Sequence, residues 1–166
     1  MEAAARQQGD AVAWPLARRY MLWITSAIVF QGHTSVMTQT ENPVGEIAIR
    51  TLAMPADTNP AGDIFGGWLM AQMDIAGGIA AAKRARGRVA TVAVDGMAFH
   101  KPVRVGDELT CYTSVEKTGT TSLTLKVEAW VLRRATWEPE KVTEATFTFV
   151  AIDEQGRKRP VPAMDA

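Results

Sequence analysis

The sequence predicts an α+β domain in which an antiparallel sheet wraps one long helix. Three observations carry that reading. Apolar residues recur with a helical period in one stretch only, Ile64 to Arg84, and from Val89 onward the period switches to two and holds through four long runs. The helical stretch is also crowded with alanine and glycine, which implies that something packs very close to it. At 166 residues the chain suits one domain with a real core and is too short for an eight-stranded α/β barrel.

The elements follow in chain order. Residues 1–36 differ from the rest: Pro15, Arg18 and Arg19 precede an apolar run from Tyr20 to Phe30, about half the length that spans a bilayer as a helix. No small-residue cleavage pattern follows it cleanly. We read 1–36 as an extension, disordered or upstream of a start at Met37, with the functional domain over 37–153 and a tail over 154–166. From Glu46 to Leu52, Ile47 and Ile49 alternate with polar positions as in a half-buried strand. The turn formers Pro55, Asp57, Asn59 and Pro60 end it. In the helix, Phe65, Trp68, Leu69, Met73, Ala76, Ile79 and Ala80 form the apolar stripe, and Lys83 and Arg84 suit the negative helix end before Gly87. Strands are expected over Val89 to Phe99, Glu108 to Glu116, Ser122 to Arg134 and Lys141 to Ile152. The connections are Gly106-Asp107, Thr118-Gly119 and Ala135 to Glu140, and the charged, proline-rich tail from Asp153 is expected to fray. One helix on such a sheet leaves an open edge and an uncovered flank, so a two-fold dimer is the expected minimum unit.

Composition narrows the function. Eighteen basic residues cancel eighteen acidic ones, which removes the electrostatic ground for nucleic-acid binding. Without residues 1–36 the counts become 15 and 16, and the argument stands. The chain has one cysteine, Cys111, and two histidines, His33 and His100, so neither an intrachain disulfide nor a metal centre is expected. That thiol usage fits a reducing, cytoplasmic setting, and the short apolar run from Tyr20 to Phe30 speaks against stable membrane insertion. Cys111 lies in a strand-like run and reads as core or surface filling.

Chemistry concentrates in Asn59-Pro60-Ala61-Gly62-Asp63-Ile64-Phe65-Gly66-Gly67-Trp68, a carboxylate in a Gly-rich loop at the helix mouth. A helix start offers free N–H groups and a positive dipole end, and Gly66 and Gly67 let a ligand atom approach that backbone. Beside it Asp63 can act as a base. An oxyanion-binding backbone next to a carboxylate is what adding water to a carbonyl requires. The same aspartate would equally serve as a plain N-cap.

The run Arg50 to Asn59 and then Gly62 to Met70, continued by Gln72-Met73-Asp74-Ile75, resembles the YciA-type acyl-CoA thioesterases of the hotdog fold. Gly96-Met97 with Phe99, Pro102-Val103 through Gly106-Asp107, and Thr118-Gly119-Thr120-Thr121-Ser122 fit the same pattern. The resemblance implies a hotdog domain, a double-hotdog dimer or trimer of such dimers, and hydrolysis of acyl-CoA to a free acid and CoA with no metal or organic cofactor. It maps the catalytic carboxylate onto Asp63, as general base or nucleophile, with the amide of Gly67 or its neighbour Gly66 polarising the carbonyl and Asn59 shaping the loop or holding the water. The cleft of such a dimer lies between subunits, so Asp95, Gly96 and Met97, or Thr120 and Ser122, are expected from the second subunit.

Other residues carry two readings each. Asp74 is an interface hydrogen-bonding group or an aid to catalysis across the interface. His100, Lys101 and Arg104 are contacts for CoA phosphates or a solvated strand end. Arg84, Arg86 and Arg88 are a second such cluster or a helix-end cap. Trp68 reads as core or dimer contact rather than acyl-chain lining. Absent motifs discriminate as well. The chain has no G-x-S-x-G nucleophile elbow, no P-loop lysine after Gly62 to Gly67, and no histidine near the helix start that a hotdog hydratase would use. The alternative function is a non-catalytic acyl-CoA binding or sensing module on the same fold.

Overall fold

In a computed structural model the protein is described over residues 41–163. The expected extension over 1–36 lies outside the described residues. Strand β1 (Glu46–Leu52) leads through a 3-10 turn at Pro55–Asp57 into helix α1 (Gly66–Ala85), followed by β2 (Val89–Phe99), β3 (Glu108–Thr118), β4 (Ser122–Leu132) and β5 (Pro139–Ala151). All neighbouring strands are antiparallel, in the order β1-β3-β4-β5-β2. Strands β3, β4 and β5 form a meander, and α1 carries the chain across the sheet from the β1 edge to the β2 edge. The helix touches all five strands, as the expected wrapping requires.

Alternation supplies the core. Leu123, Leu125, Val127, Ala129 and Val131 of β4, with Phe147 and Phe149 of β5, are buried in one cluster with Leu69, Met73, Ala76 and Ala81 of α1. Cys111 belongs to it too, and burial pushes its thiol up to about 12, so it acts as core filling. The small residues of the helix have a specific cause. A methyl on Gly77 would lie 2.9 Å from the Phe149 ring and 3.4 Å from Val127.

Boundaries differ from expectation where hydrogen bonds to other elements intervene. The helix begins at Gly66 rather than Ile64, because the Ile64 N–H donates to Val103 O (3.0 Å) and the Phe65 N–H to Asp57 O (3.0 Å), which hold both residues out of the helical ladder. Strand β4 stops at Leu132 because the Arg133 N–H turns to Glu138 O and the Trp137 N–H to Arg133 O, closing a hairpin loop. At the helix C-terminus the left-handed residue is Arg86 (φ 51°), and the Gly87 N–H bonds back to Ala82 O.

The tail does not fray over its described part. Ile152 pairs with Lys158, the Val161 N–H reaches Thr120 O, and Arg159 donates to Ile152 O (3.1 Å) and to Ala85 O (2.9 Å) at the helix end. Its proline and charge content suggested solvent, but the cationic side chain answers carbonyls that the helix terminus leaves open.

Candidate functional site

The loop before α1 is built around Asn59. Its side-chain oxygen accepts the N–H of Ala61 (2.9 Å) and of Asp63 (3.1 Å), while its backbone N–H donates to Asp63 O (2.7 Å) and its carbonyl accepts the Gly62 N–H (2.9 Å). Asn59 thus folds the loop onto itself and fixes where Asp63 stands. The carboxylate of Asp63 is half-buried and is not the helix cap. The N-cap is Phe65, with no side-chain cap hydrogen bond.

An uncapped start leaves donors free. Among the described residues the amides of Gly66, Gly67 and Trp68 have no hydrogen-bond partner, so they are available to a developing oxyanion. The two glycines differ. A methyl on Gly66 would sit 3.4 Å from the Phe99 ring, so its close neighbour is that ring, whereas Gly67 faces open space. Phe99, Gly66, Leu69, His100, Lys101 and Pro102 line a hollow of about 300 Å3 at the helix mouth. His100 and Lys101 are thereby brought to the site.

Lys101 is not a free cation. It pairs with Glu140, which also takes Arg133, and Arg133 reaches Asp107 at 2.6 Å. The Arg104 amide donates to the same Asp107 carboxylate (3.0 Å), and its guanidinium makes no ion pair among the described residues. The second basic cluster is occupied by the fold. Arg84 donates to Pro162 O, and Arg88 to the carbonyls of Asp153 and Glu154.

Asp74 lies on α1 eight residues past Gly66, roughly 12 Å along the axis at 1.5 Å per residue. It is half-buried beside the β2 edge, where the Thr91 hydroxyl donates to it at 2.6 Å. Trp68 is half-buried and packs against the core cluster. Asp95, Gly96 and Met97 form the irregular middle of β2, with Gly96 at φ 64° in a bulge. Thr120 and Ser122 sit at the other end of the molecule. Register places Ser122 against Val150 and Val89 against Ala151, whereas the helix mouth meets the Phe99 end. In one protomer they do not reach the helix mouth. Among the described residues no three His, Cys, Asp or Glu side chains stand together as a metal cluster would need, and no helix is long and apolar enough to cross a membrane.

The thioesterase superfamily model matches residues 61–137. The chain is 55% identical over 131 residues to the acyl-CoA thioester hydrolase YciA of Salmonella typhimurium, an alignment covering 76% of this chain and 98% of that protein. The chain belongs to the thioesterase superfamily. Solved structures place it among hotdog folds. The hexameric thioesterase y2039 from Yersinia pestis matches with 54% identity and a TM-score of 0.71 over 74% of this chain and all (100%) of that one. Cj0915, a hexameric hotdog fold thioesterase of Campylobacter jejuni, matches with 40% identity and a TM-score of 0.68 over 71% of this chain and 91% of that one. An acyl-CoA hydrolase from Staphylococcus aureus, 32% identical over 69% of this chain and 68 to 70% of that one with TM-scores of 0.65 and 0.63, has been solved as two alanine variants. In one, bound to coenzyme A, an asparagine is replaced; in the other, the aspartate fifteen positions further along is replaced.

This thioesterase chain holds two asparagine–aspartate pairs at that spacing, Asn42 with Asp57 and Asn59 with Asp74. The Asp57 carboxylate is taken by the Met54 N–H in the turn before the helix (3.0 Å). Asn59 builds the loop at the helix mouth, and Asp74 lies further along α1 beside Thr91. The helix signal alone could not single out Asp74 among carboxylates of the chain.

Proposed function

We propose that the protein hydrolyses acyl-CoA thioesters to a carboxylic acid and CoA, in the cytoplasm and without a metal or organic cofactor. The observation that carries the reading is the helix mouth: three unpartnered amides on a Gly-Gly backbone, fixed by the Asn59 loop, in a chain that covers nearly the whole of a named acyl-CoA thioester hydrolase. The thioester carbonyl oxygen would lie against the Gly67 amide. A carboxylate takes a proton from water as the water oxygen bonds to the carbonyl carbon, the amides hold the resulting oxyanion, and collapse expels the CoA thiolate, which takes up the proton.

Two carboxylates compete for the role of base. Asp63 is favoured by position, since it stands beside the amides of its own helix. Asp74 is favoured by spacing, since Asn59 and Asp74 reproduce the separation of the asparagine and aspartate replaced in the Staphylococcus aureus hydrolase. We assign the base to Asp74 and leave Asp63 to shape the loop. Within one protomer Asp74 lies two turns beyond the amides. A two-fold axis running two helices antiparallel would bring the mouth of one to the middle of the other, with Asp95, Gly96 and Met97 at the seam. The active unit is therefore a dimer, assembled as three dimers in a hexamer like that of the Yersinia pestis relative.

The test is thiol release from short- and medium-chain acyl-CoAs by the parent, Asp63→Asn and Asp74→Asn. The Asp74 variant is expected to lose about a thousandfold in kcat, in the range typical of a positioned general base, and the Asp63 variant less than about tenfold. The reverse ranking returns the role to Asp63. A parent that binds CoA esters yet releases no thiol at any chain length would be the non-catalytic binding module instead.

A further inference from the structure

We propose that Arg133, just past the end of β4, is a positioning residue for the hydrolysis: it anchors the 102–107 turn from which the helix mouth takes its place. This rests on the reading of the protein as an acyl-CoA hydrolase and names what holds the oxyanion-binding amides where they work.

The mouth has little stiffness of its own. Two successive glycines, Gly66 and Gly67, open α1, and the N-cap Phe65 supplies no side-chain hydrogen bond. Glycine backbone is permissive, and a helix start without a cap leaves its first amides unheld. An oxyanion donor nevertheless has to stand within about 2.7–3.1 Å of the atom on which charge develops. The placement of these amides must therefore come from outside the helix.

It comes from one turn. The loop that carries Asn59 and Asp63 is tied to residues 102–107 at both of its ends. At the start of the loop the Ala53 N–H donates to Asp107 O (3.0 Å), and Ala53 O accepts the Gly106 N–H (2.9 Å). At its end the Ile64 N–H donates to Val103 O (3.0 Å), two residues before Gly66. Ile64 and Val103 are both buried in the core cluster, so this bond is shielded from water. Where the 102–107 turn sits, the loop and the first turn of α1 follow.

Arg133 decides where the turn sits. Its guanidinium donates to Pro102 O at 2.8 Å and to the Asp107 carboxylate at 2.6 Å, while its Nε and Nη2 meet Glu140 of β5 at 2.6 and 2.5 Å. The same buried carboxylate of Asp107 accepts the Arg104 N–H (3.0 Å), which closes the turn on itself. Arginine suits this place because its planar fork serves three acceptors on two walls at once, whereas an ammonium is a single point of charge. Arg133 does not line the hollow at the helix mouth, though Pro102 and Val103 do, so its influence on the reaction passes through the turn.

The experiment uses the full-length protein and acyl-CoA hydrolysis. Replacing Arg133 alone would strand the buried Asp107 carboxylate, so the variant is the neutral pair Asp107→Asn with Arg133→Gln, which removes the anchor without leaving an unpaired charge. Its kcat is expected to fall about tenfold or more with KM within about twofold of the parent, the split produced when groups that bind the transition state are displaced. Arg133→Lys, which keeps a cation on Asp107, is expected to show the same split at a smaller size. Amide hydrogen exchange reads the anchor directly: in the double variant the Ala53 and Ile64 amides should exchange about tenfold faster, while amides in the middle of β4 keep the parent rate. An unchanged kcat overturns the assignment. So does a rise in KM at constant kcat, which would place Arg133 in substrate binding, or a loosening of β4 equal to that of Ile64, which would make the role one of general stability. A parent that hydrolyses no acyl-CoA would instead defeat the hydrolase reading, while the exchange of Ile64 would still judge the anchor.

Discussion

Gly77 shows how one residue fixes the distance between helix and sheet. The Phe149 ring that abuts it is 1% exposed and stacks on Phe147 with centroids 6.2 Å apart, so it has little room to yield. Gly77→Ala gains helix propensity worth about 0.5–1 kcal/mol, but it overpacks a close-packed site at a cost of about 1–3 kcal/mol. A net destabilisation of about 1 kcal/mol is expected in urea denaturation, and a stabilised variant would show that the ring moves aside freely. The crowd of glycine and alanine announced a close approach in the sequence, yet it did not say which glycine mattered. That depends on where Phe149 of a strand 72 positions away comes to rest. The same limit applies at the helix mouth. Asn59 was legible as a loop former, but its two accepted N–H bonds, and the absence of any cap from Asp63, depend on the loop's path.

Strands β4 and β5 carry a charged network on the sheet surface away from the helix. Alternation in β4 promised a polar, wet face there. Glu128 is instead 2% exposed, because the Val44 N–H reaches its carboxylate and Lys126 and Lys141 close over it. Burial disfavours its charge, but the Trp130 indole N–H, the Val44 N–H and the two lysines outweigh that and hold it below the usual carboxylate range. Glu144 is lowered by Lys141 and then Lys126, and Glu140 by Lys101 and then Arg133. A carboxyl lowered in the fold stabilises it at pH values above the unfolded value of 4.5, and that contribution is lost as pH falls through the lower folded value. Stability is therefore expected to drop on the acid side, from about pH 5 downward, with Glu144→Gln flattening that limb of a urea-midpoint series. A midpoint independent of pH there would mean the network contributes nothing. The tail belongs to the same lesson. Its composition spoke for solvent, and only the open carbonyls of Ala85 and Ile152 explain why Arg159 docks it.

Across the whole molecule the fold class was readable from periods of two and 3.6 because each element buries one face, and those faces point inward. The pattern promised an open edge and an uncovered flank, and only the topology shows which residues line them. Strand β2 is an edge, with Val92 57% and Val94 39% exposed, and Ile75 and Ile79 of the helix are half exposed nearby in sequence to Asp74. A helix apolar on its outer side and an edge strand whose one charged residue is Asp95 both call for a partner. If a two-fold dimer closes over this flank and completes the cleft at Asp74, charge on the β2 edge should separate the subunits without harming the protomer. Exposed substitutions cost the isolated fold only about 0.5 kcal/mol either way. Replacing Val92 and Val94 together by lysine is accordingly expected to lower the mass measured by light scattering to that of the protomer, to leave the circular dichroism of the sheet in place, and to abolish thiol release from acyl-CoA. Full assembly with full activity in that variant would move the interface elsewhere, and a parent that is monomeric yet active would remove the need for a shared cleft.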